Sequence, residues 1–450
     1  MRTSKPKVLH RVAGMPLVSY ATKAASRIQP GSTMVVVAPE AREAIAGDLG
    51  DDPEYVEQPE PLGTGHALAM ALERVPFSTR HILLLNGDMP FVSGETALDL
   101  ATLHVKRHAA VSVLSAELPA AAARDLGRLQ RGARGKPVAI IEAVGAKPSR
   151  AQTIEVSVGA YAFDAEWLRG AITTLSPHDS GELYVTDLVG IAVAGGRRAE
   201  VLTVPWGDEP IGVNTRGQLA QAEQAMQRRL RDDAMASGVT LIDPATVYLD
   251  ATVSFEQDVI VLPNTSIRGA THVASGASIG PNAQVTDSTI GPGVTIESSV
   301  VRSAVFESGV HIGPFSHIRE GTHLGPDVHI GSHAEIKASH IGKGTHIGHF
   351  SYVGDAVIGE AVNIGAGTVT CNYDGVSKHI TEIGDGAFIG SDSMLVAPLK
   401  IGAGAITGAG AVVTRDVDPG GKVVGVPAKN LESRRRLNTA VGSEGGRTLG

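Results

Sequence analysis

The chain has 450 residues, of which 42% are hydrophobic and 4% aromatic, with 54 glycines and a formal net charge of −8. This length exceeds one ordinary core and predicts two domains, and an acidic balance with dispersed Lys and Arg gives no basic stripe for nucleic acid. The single cysteine, Cys371, excludes an intramolecular disulfide framework and makes a thiolate zinc cluster implausible.

The chain opens with Lys5-Pro6-Lys7-Val8-Leu9-His10, then a turn at Ala13-Gly14-Met15-Pro16-Leu17 leading into a helix that ends near Arg27. Met34 to Ala38 has the length and β-branched content of a strand, as does His81-Ile82-Leu83-Leu84-Leu85, which ends at Asn86-Gly87-Asp88. Between them Gln58-Pro59-Glu60-Pro61-Leu62-Gly63-Thr64-Gly65-His66 precedes an Ala-rich helix. Alternating strands and helices imply a parallel-type sheet covered on both faces. Ligands gather at the carboxyl ends of such strands, where Gly63-Thr64-Gly65 and Asp88 fall. The glycine turn suits a phosphate at a helix N-terminus or is a plain turn, and Asp88 is either a Mg²⁺ ligand or a helix N-cap.

From Thr215, a candidate N-cap, Leu219, Ala222, Met226 and Leu230 recur at three- and four-residue steps, predicting one helix to about Ala236 that Gly238 stops. The expected domains are 1–214, a linker helix over 215–237, a second domain over 238–430 and a mobile tail over 431–450. In the second domain an aliphatic residue followed by glycine recurs on a six-residue grid, for example at Ile312, Leu324, Ile330, Ile341, Ile347, Ile358, Ile364, Ile383, Ile389 and Ile401. Three hexapeptides make one triangular coil of a parallel β-helix; neither a Gly-rich disordered segment nor a β-sandwich demands that period. The grid breaks once, between Ile364 and Ile383, which extrudes Thr370-Cys371-Asn372-Tyr373-Asp374-Gly375-Val376-Ser377-Lys378-His379 as a functional loop or a neutral insertion. Arg319, Glu335, Lys337, His349, Tyr352 and Asn363 crowd neighbouring coils, and a step near 18 residues would put Arg319, Lys337 and roughly Tyr352 on one wall. Any single one of the 16 histidines is more often a solvated surface residue than a catalyst.

Lys5 to His10, Leu62 to His66, Gly87-Asp88, Gly181-Glu182-Leu183-Tyr184-Val185-Thr186-Asp187 and Gly212-Val213-Asn214 resemble the first domain of the bifunctional N-acetylglucosamine-1-phosphate uridyltransferase/glucosamine-1-phosphate N-acetyltransferase family. Ile318-Arg319, Glu335-Ile336-Lys337, the run from Gly348 to Asp355 and the run from Val362 to Thr368 resemble its second, a left-handed β-helix. The resemblance implies that Lys7, Gln58, Gly63, Thr64, Gly127, Glu142, Thr186 and Asn214 surround the UDP-sugar and that Asp88 and Asn214 hold Mg²⁺. It implies His349 as general base, Arg319, Lys337, Tyr352 and Asn363 on the acceptor sugar phosphate, and Ala366, Asn372, Tyr373, Ser391 and Ala409 on acetyl-CoA. The implied activity is acetyl transfer from acetyl-CoA to glucosamine-1-phosphate, then uridylyl transfer from UTP to N-acetylglucosamine-1-phosphate, in a cytoplasmic homotrimer without nucleic-acid or membrane partners.

Three departures set expectations. Ser157 stands where the family usually has Asn, with loss of a sugar contact expected, and Gly425 replaces a coenzyme-binding arginine. The family's Gly-rich loop, ending in Gly-Thr-Arg-Met, would lie before Thr3, with Met1 at its last residue. A chain starting there is expected to be a competent acetyltransferase and a poor uridyltransferase, unless translation begins upstream. The rival readings are an acetyltransferase alone, a sugar-phosphate nucleotidyltransferase with a regulatory β-helix, and a non-enzymatic β-helix scaffold.

Overall fold

A computed structural model describes residues 1, 3, 5–124, 126–142, 152–205 and 207–425; the expected tail over 431–450 lies outside them. Two compact units divide the chain: 1–238 with 247–254 and 267–270, and 239–246 with 255–266 and the remainder.

The first unit begins with a short hairpin, β1 (Arg11–Val12) and β2 (Met15–Pro16), and α1 (Leu17–Ser26). Strands and helices then alternate through β3 (Met34–Val37), α2 (Arg42–Leu49), β4 (Glu54–Glu57), α3 (Thr64–Leu72), β5 (His81–Leu85) and α4 (Gly94–Arg107). There follow β6 (Val111–Pro119), β7 (Arg128–Arg131), β8 (Pro137–Ile141), β9 (Thr153–Asp164), α5 (Ala165–Ala171), α6 (Asp187–Ala194), β10 (Ala199–Val204) and α7 (Arg216–Ala236).

Parallel pairing joins β3 to β4 and β10 to β6, while the long β9 runs antiparallel between β5 and β6. In β6, Val113 packs with Leu68, Phe163 and Leu188, and the next residue, Leu114, packs with Leu100 and Val158 on the other side. Successive side chains of a strand point to opposite faces, so two cores require helices on both sides of this sheet.

The helix expected from Thr215 is α7. Thr215 and Gln218 form a capping box at its start, and its stripe of Ala222, Ala225 and Met226 is buried with Leu219 and Leu230 alongside. Gln227 makes two hydrogen bonds to the backbone of Leu249, of 2.7 and 2.9 Å. Gly238, at φ +99°, ends the turn that follows the helix.

The second unit is a left-handed parallel β-helix built from three parallel sheets. One runs from Thr240–Leu241 to Lys422–Val423, a second includes Gln284–Thr286 through Val412–Val413, and a third includes His272–Val273 through Leu399–Ile401. Coils stack at about the 4.8 Å spacing of neighbouring strands. Ile296, Ile312, Ile330 and Ile347 form one inward column, each without solvent exposure. The extruded segment leaves the helix after Val369–Cys371 and rejoins it at Thr381–Ile383. Among the described residues no helix is long and apolar enough to cross a membrane.

Candidate functional sites

In the first unit Lys7, Asp88 and Asn214 converge from distant parts of the chain. Lys7 Nζ donates to Asp88 Oδ2 at 2.6 Å and to Asn214 Oδ1 at 2.7 Å. Lys7 is fixed by a 3₁₀ turn whose Leu9 is buried. Asp88 lies beyond the C-terminal end of β5, and its carbonyl accepts from the Val213 amide at 3.1 Å. The amides of Asn214 and Thr215 both donate to Gln218 Oε1 at 2.9 Å, so the α7 capping box also orients Asn214. Asp88 is not a helix cap: Ser93 caps α4, its hydroxyl accepting from the Thr96 amide at 3.0 Å.

The Gly63-Thr64-Gly65 turn is tied to the 183–185 segment. Gly65 N donates to Leu183 O at 2.8 Å, and Val185 N donates to the Thr64 hydroxyl at 3.1 Å. Gly63 sits at φ +93°, and a Cβ there would meet Leu183 O at 2.5 Å, so the close approach requires glycine. Gln58 Nε2 lies 3.2 Å from Gly63 O, and the Thr186 hydroxyl donates to Glu142 at 2.7 Å. Gly127 leaves room beside Glu142 and Ile140. Ser157 is buried with its hydroxyl 2.7 Å from that of Tyr161, so its short side chain is engaged inside the unit. Lys7, Thr64 and Asp88 line one cavity of about 810 Å³, whose walls include β3, β5, α1 and α3. Among the described residues β3 pairs only with β4, and β5 only with β9.

In the β-helix, strand register places the predicted residues. Val300, His317, Glu335 and Tyr352 form one column, and Lys337 pairs with Gly354. The expected step from Lys337 to Tyr352 fails because they are only 15 residues apart whereas this coil takes 17 residues, as between Ser332 and His349. Tyr352 therefore stacks on Glu335, and the place beyond Lys337 falls to Gly354. A Cβ at Gly354 would lie 2.5 Å from the Tyr352 hydroxyl oxygen and 2.9 Å from Asn372 Nδ2, so glycine makes room for both side chains.

Arg319 donates to Glu335 at 2.8 Å, and Glu320 lies 3.4 Å from Arg319 and 3.8 Å from Lys337. Lys378 stands beside Lys337 and, with Arg319 also near, holds the Lys337 ammonium below its ordinary pKa. Cations crowded this way suit an anion that would relieve them. Sequence reasoning singled out the extruded segment but not Lys378 within it; a lysine on a loop facing two predicted phosphate-binding cations was the available signal.

That loop is self-braced. Asp374 accepts from the Val376 and Ser377 amides at 2.7 and 2.8 Å and pairs with His379 at 2.7 Å. His379 first, then the two amides, hold the Asp374 carboxyl well below the usual carboxylate range. Asn372 donates to Asp355, while Tyr373 remains 61% exposed with its hydroxyl on Gly375 O.

His349 is exposed, with Nδ1 3.3 Å from the Ser332 hydroxyl. His346, Asn363, Phe388 and Ile406 are successive partners on its sheet. Three residues further along each of these rungs stand His349, Ala366, Ser391 and Ala409, forming a lane of small side chains leading away from the imidazole. Asp392 N donates to Ala366 O and Gly410 N to Ser391 O, which holds the turns of this lane together. Gly425 follows the last rung, against Gly410 and Ala411.

Comparison with known proteins adds independent information. Residues 1–149 match the model of the MobA-like NTP transferase domain. Residues 303–338 and 380–415 match the bacterial transferase hexapeptide model. The chain is 37% identical over 418 residues to the bifunctional protein GlmU of Streptococcus agalactiae, covering 93% of this chain and 90% of that protein. It is 41% identical over 430 residues to the bifunctional protein GlmU of Streptomyces avermitilis, covering 94% and 89%. It is also 41% identical over 425 residues to that of Heliobacterium modesticaldum, covering 94% and 92%.

Proposed function

The chain belongs to the GlmU family of bifunctional proteins, and from that premise we propose how its residues divide two transfer reactions. The enzyme makes UDP-N-acetylglucosamine by acetyl transfer from acetyl-CoA to glucosamine-1-phosphate and uridylyl transfer from UTP to N-acetylglucosamine-1-phosphate.

For acetyl transfer, His349 is the general base. In the tautomer with Nδ1 protonated and donating to Ser332, the Nε2 lone pair takes a proton from the sugar amine as nitrogen attacks the thioester carbonyl and coenzyme A leaves as thiolate. Arg319, Lys337 and Lys378 receive the sugar phosphate, while Tyr352 and Asn363 hold the sugar. Acetyl-CoA lies along the lane of Ala366, Ser391 and Ala409, against Asn372 and Tyr373. With glycine at 425 in place of the family arginine, coenzyme affinity is lower than in relatives that keep it.

For uridylyl transfer, Gln58, Gly63, Thr64, Gly127, Glu142 and Thr186 surround the nucleotide sugar. Lys7 offsets charge on the phosphates as the sugar phosphate displaces pyrophosphate. Asp88 and Asn214 fit Mg²⁺: each presents a hard oxygen, and those oxygens already share one cation, the Lys7 ammonium. When bound, the metal supplies Lewis-acid neutralisation of phosphate charge. A homotrimer suits a triangular helix with three flat faces, because rings of three close without leftover surfaces; light scattering showing an active monomer would rule it out.

The observation that carries the acetyltransferase reading is the set of cations Arg319, Lys337 and Lys378 gathered near Tyr352. The test follows thiol release from acetyl-CoA with glucosamine-1-phosphate as acceptor. Lys378→Ala is expected to raise KM for the sugar phosphate about tenfold, the scale of one charge-assisted hydrogen bond, with KM for acetyl-CoA unchanged. Equal KM values for the sugar phosphate in both proteins would refute this assignment.

A further inference from the structure

We infer that Lys7 is an internal plug of the metal site: its ammonium occupies the two oxygens that would bind a divalent cation, so the metal enters only when a phosphate draws Lys7 away. This rests on the assignment of Asp88 and Asn214 as metal ligands.

Asp88 Oδ2 and Asn214 Oδ1 both accept from one atom, Lys7 Nζ, at 2.6 and 2.7 Å. The backbones that carry these oxygens are held independently of the lysine, by the Val213–Asp88 backbone bond and by the bonds of Gln218 to the Asn214 and Thr215 amides. The two side chains therefore start from fixed backbone positions on either side of Lys7, within reach of one shared cation. An ammonium and a divalent ion cannot share those lone pairs, since both are cations and would lie within contact distance. One must leave, and Lys7 has freedom to do so: its side chain is 40% exposed and lines the 810 Å³ cavity with Thr64 and Asp88. A phosphate group arriving beside the Gly63-Thr64-Gly65 turn offers Lys7 a stronger anion than a half-shared carboxylate. Metal and phosphate affinities are then positively coupled, and by linkage each raises the other by the same factor.

The test measures Mn²⁺ binding without nucleotide, by the electron paramagnetic resonance signal of free Mn²⁺, on the full chain. Lys7→Met is expected to bind Mn²⁺ at least tenfold more tightly than the wild type, and Lys7→Met with Asp88→Asn to lose that gain. Lys7→Gln, which keeps a donor without the charge, is measured in parallel in case Lys7→Met misfolds, and is expected to shift in the same direction. If neutralising Lys7 leaves Mn²⁺ binding unchanged or weaker while Asp88→Asn alone weakens it, the plug is refuted and the metal assignment stands. If Asp88→Asn alters Mn²⁺ binding in neither background, the metal assignment itself falls and the plug with it.

Discussion

The two candidate sites are built by opposite means. In the α/β unit Lys7 meets residues 81 and 207 positions away, and only the folded topology brings them within hydrogen-bond distance. In the β-helix Arg319 meets Glu335 at 16 positions and Ser332 meets His349 at 17, one coil apart. A repeat scaffold writes its site at a fixed stride along the chain, whereas an α/β sheet gathers its site from loops whose spacing carries no signal. The contrast extends to charge. The first site pairs its one lysine with Asp88 and Asn214, whereas the second crowds Lys337 with Lys378 and Arg319 around the carboxylates of Glu320 and Glu335.

The sharpest test of this separation removes His349. His349→Ala is expected to lower acetyl transfer by roughly 10²- to 10⁴-fold, the contribution of a general base, with uridylyl transfer unchanged. Parallel loss of both activities would show that the two units do not act independently.

A second test uses acid. His104 on α4 is buried, with Nδ1 3.0 Å from the Ser112 hydroxyl, and burial first, then His81, lower its pKa to about 4. The unfolded chain binds the proton near pH 6.5 and the folded unit does not, so stability is full above 6.5 and falls as pH drops towards 4. The loss is about 3 kcal/mol from this residue. Asp374 has the same sign, its folded pKa also being depressed, but its window lies lower: its stabilisation is present above the unfolded carboxylate range and is lost only as pH falls below it, so it is retained between pH 7 and 4.5. Thermal unfolding of the α/β unit between pH 7 and 4.5 should therefore steepen with acid, and His104→Leu should flatten the slope. An unchanged slope would assign the acid sensitivity elsewhere.

Gly354→Ala tests the stride of the coils. The added methyl meets the Tyr352 hydroxyl and Asn372, so kcat/KM for acetyl transfer should fall about tenfold, equivalent to about 1.4 kcal/mol, with the α/β unit untouched. Wild-type kinetics in this variant would mean that Tyr352 and Asn372 are not held in place by the missing side chain. The smallest effect concerns the α7 cap. Thr215→Ala removes one half of the capping box and should cost about 1 kcal/mol in urea unfolding, with a small loss of uridylyl transfer through Asn214. A stability cost without that loss would separate the cap from the site.

The sequence by itself determined the β-helix and much of its site, because a six-residue period dictates which aliphatic residues turn inward and which polar neighbours face out. Arg319 and Lys337 could be placed on one wall from the sequence, while Tyr352, placed roughly on the same wall, stacks on Glu335 instead. The period also determined the extruded loop, since a 19-residue gap cannot be absorbed by coils. Tertiary structure alone decided the details that depend on coil length. One missing residue moved Tyr352 onto Glu335 and left Gly354 beside Lys337, and the folded loop brought Lys378 to them. In the α/β unit, alternation of strand and helix determined two-sided packing and put Asp88 after a strand. It left open whether Asp88 was a cap or a metal ligand. Ser93 settled the capping question by taking that role for α4, and the sharing of one ammonium between Asp88 and Asn214 became visible only once β5, the Lys7 turn and the start of α7 were folded together. Local periodicity encodes contacts one stride apart; contacts between segments hundreds of residues apart depend on how the sheet is wound, which no local pattern carries.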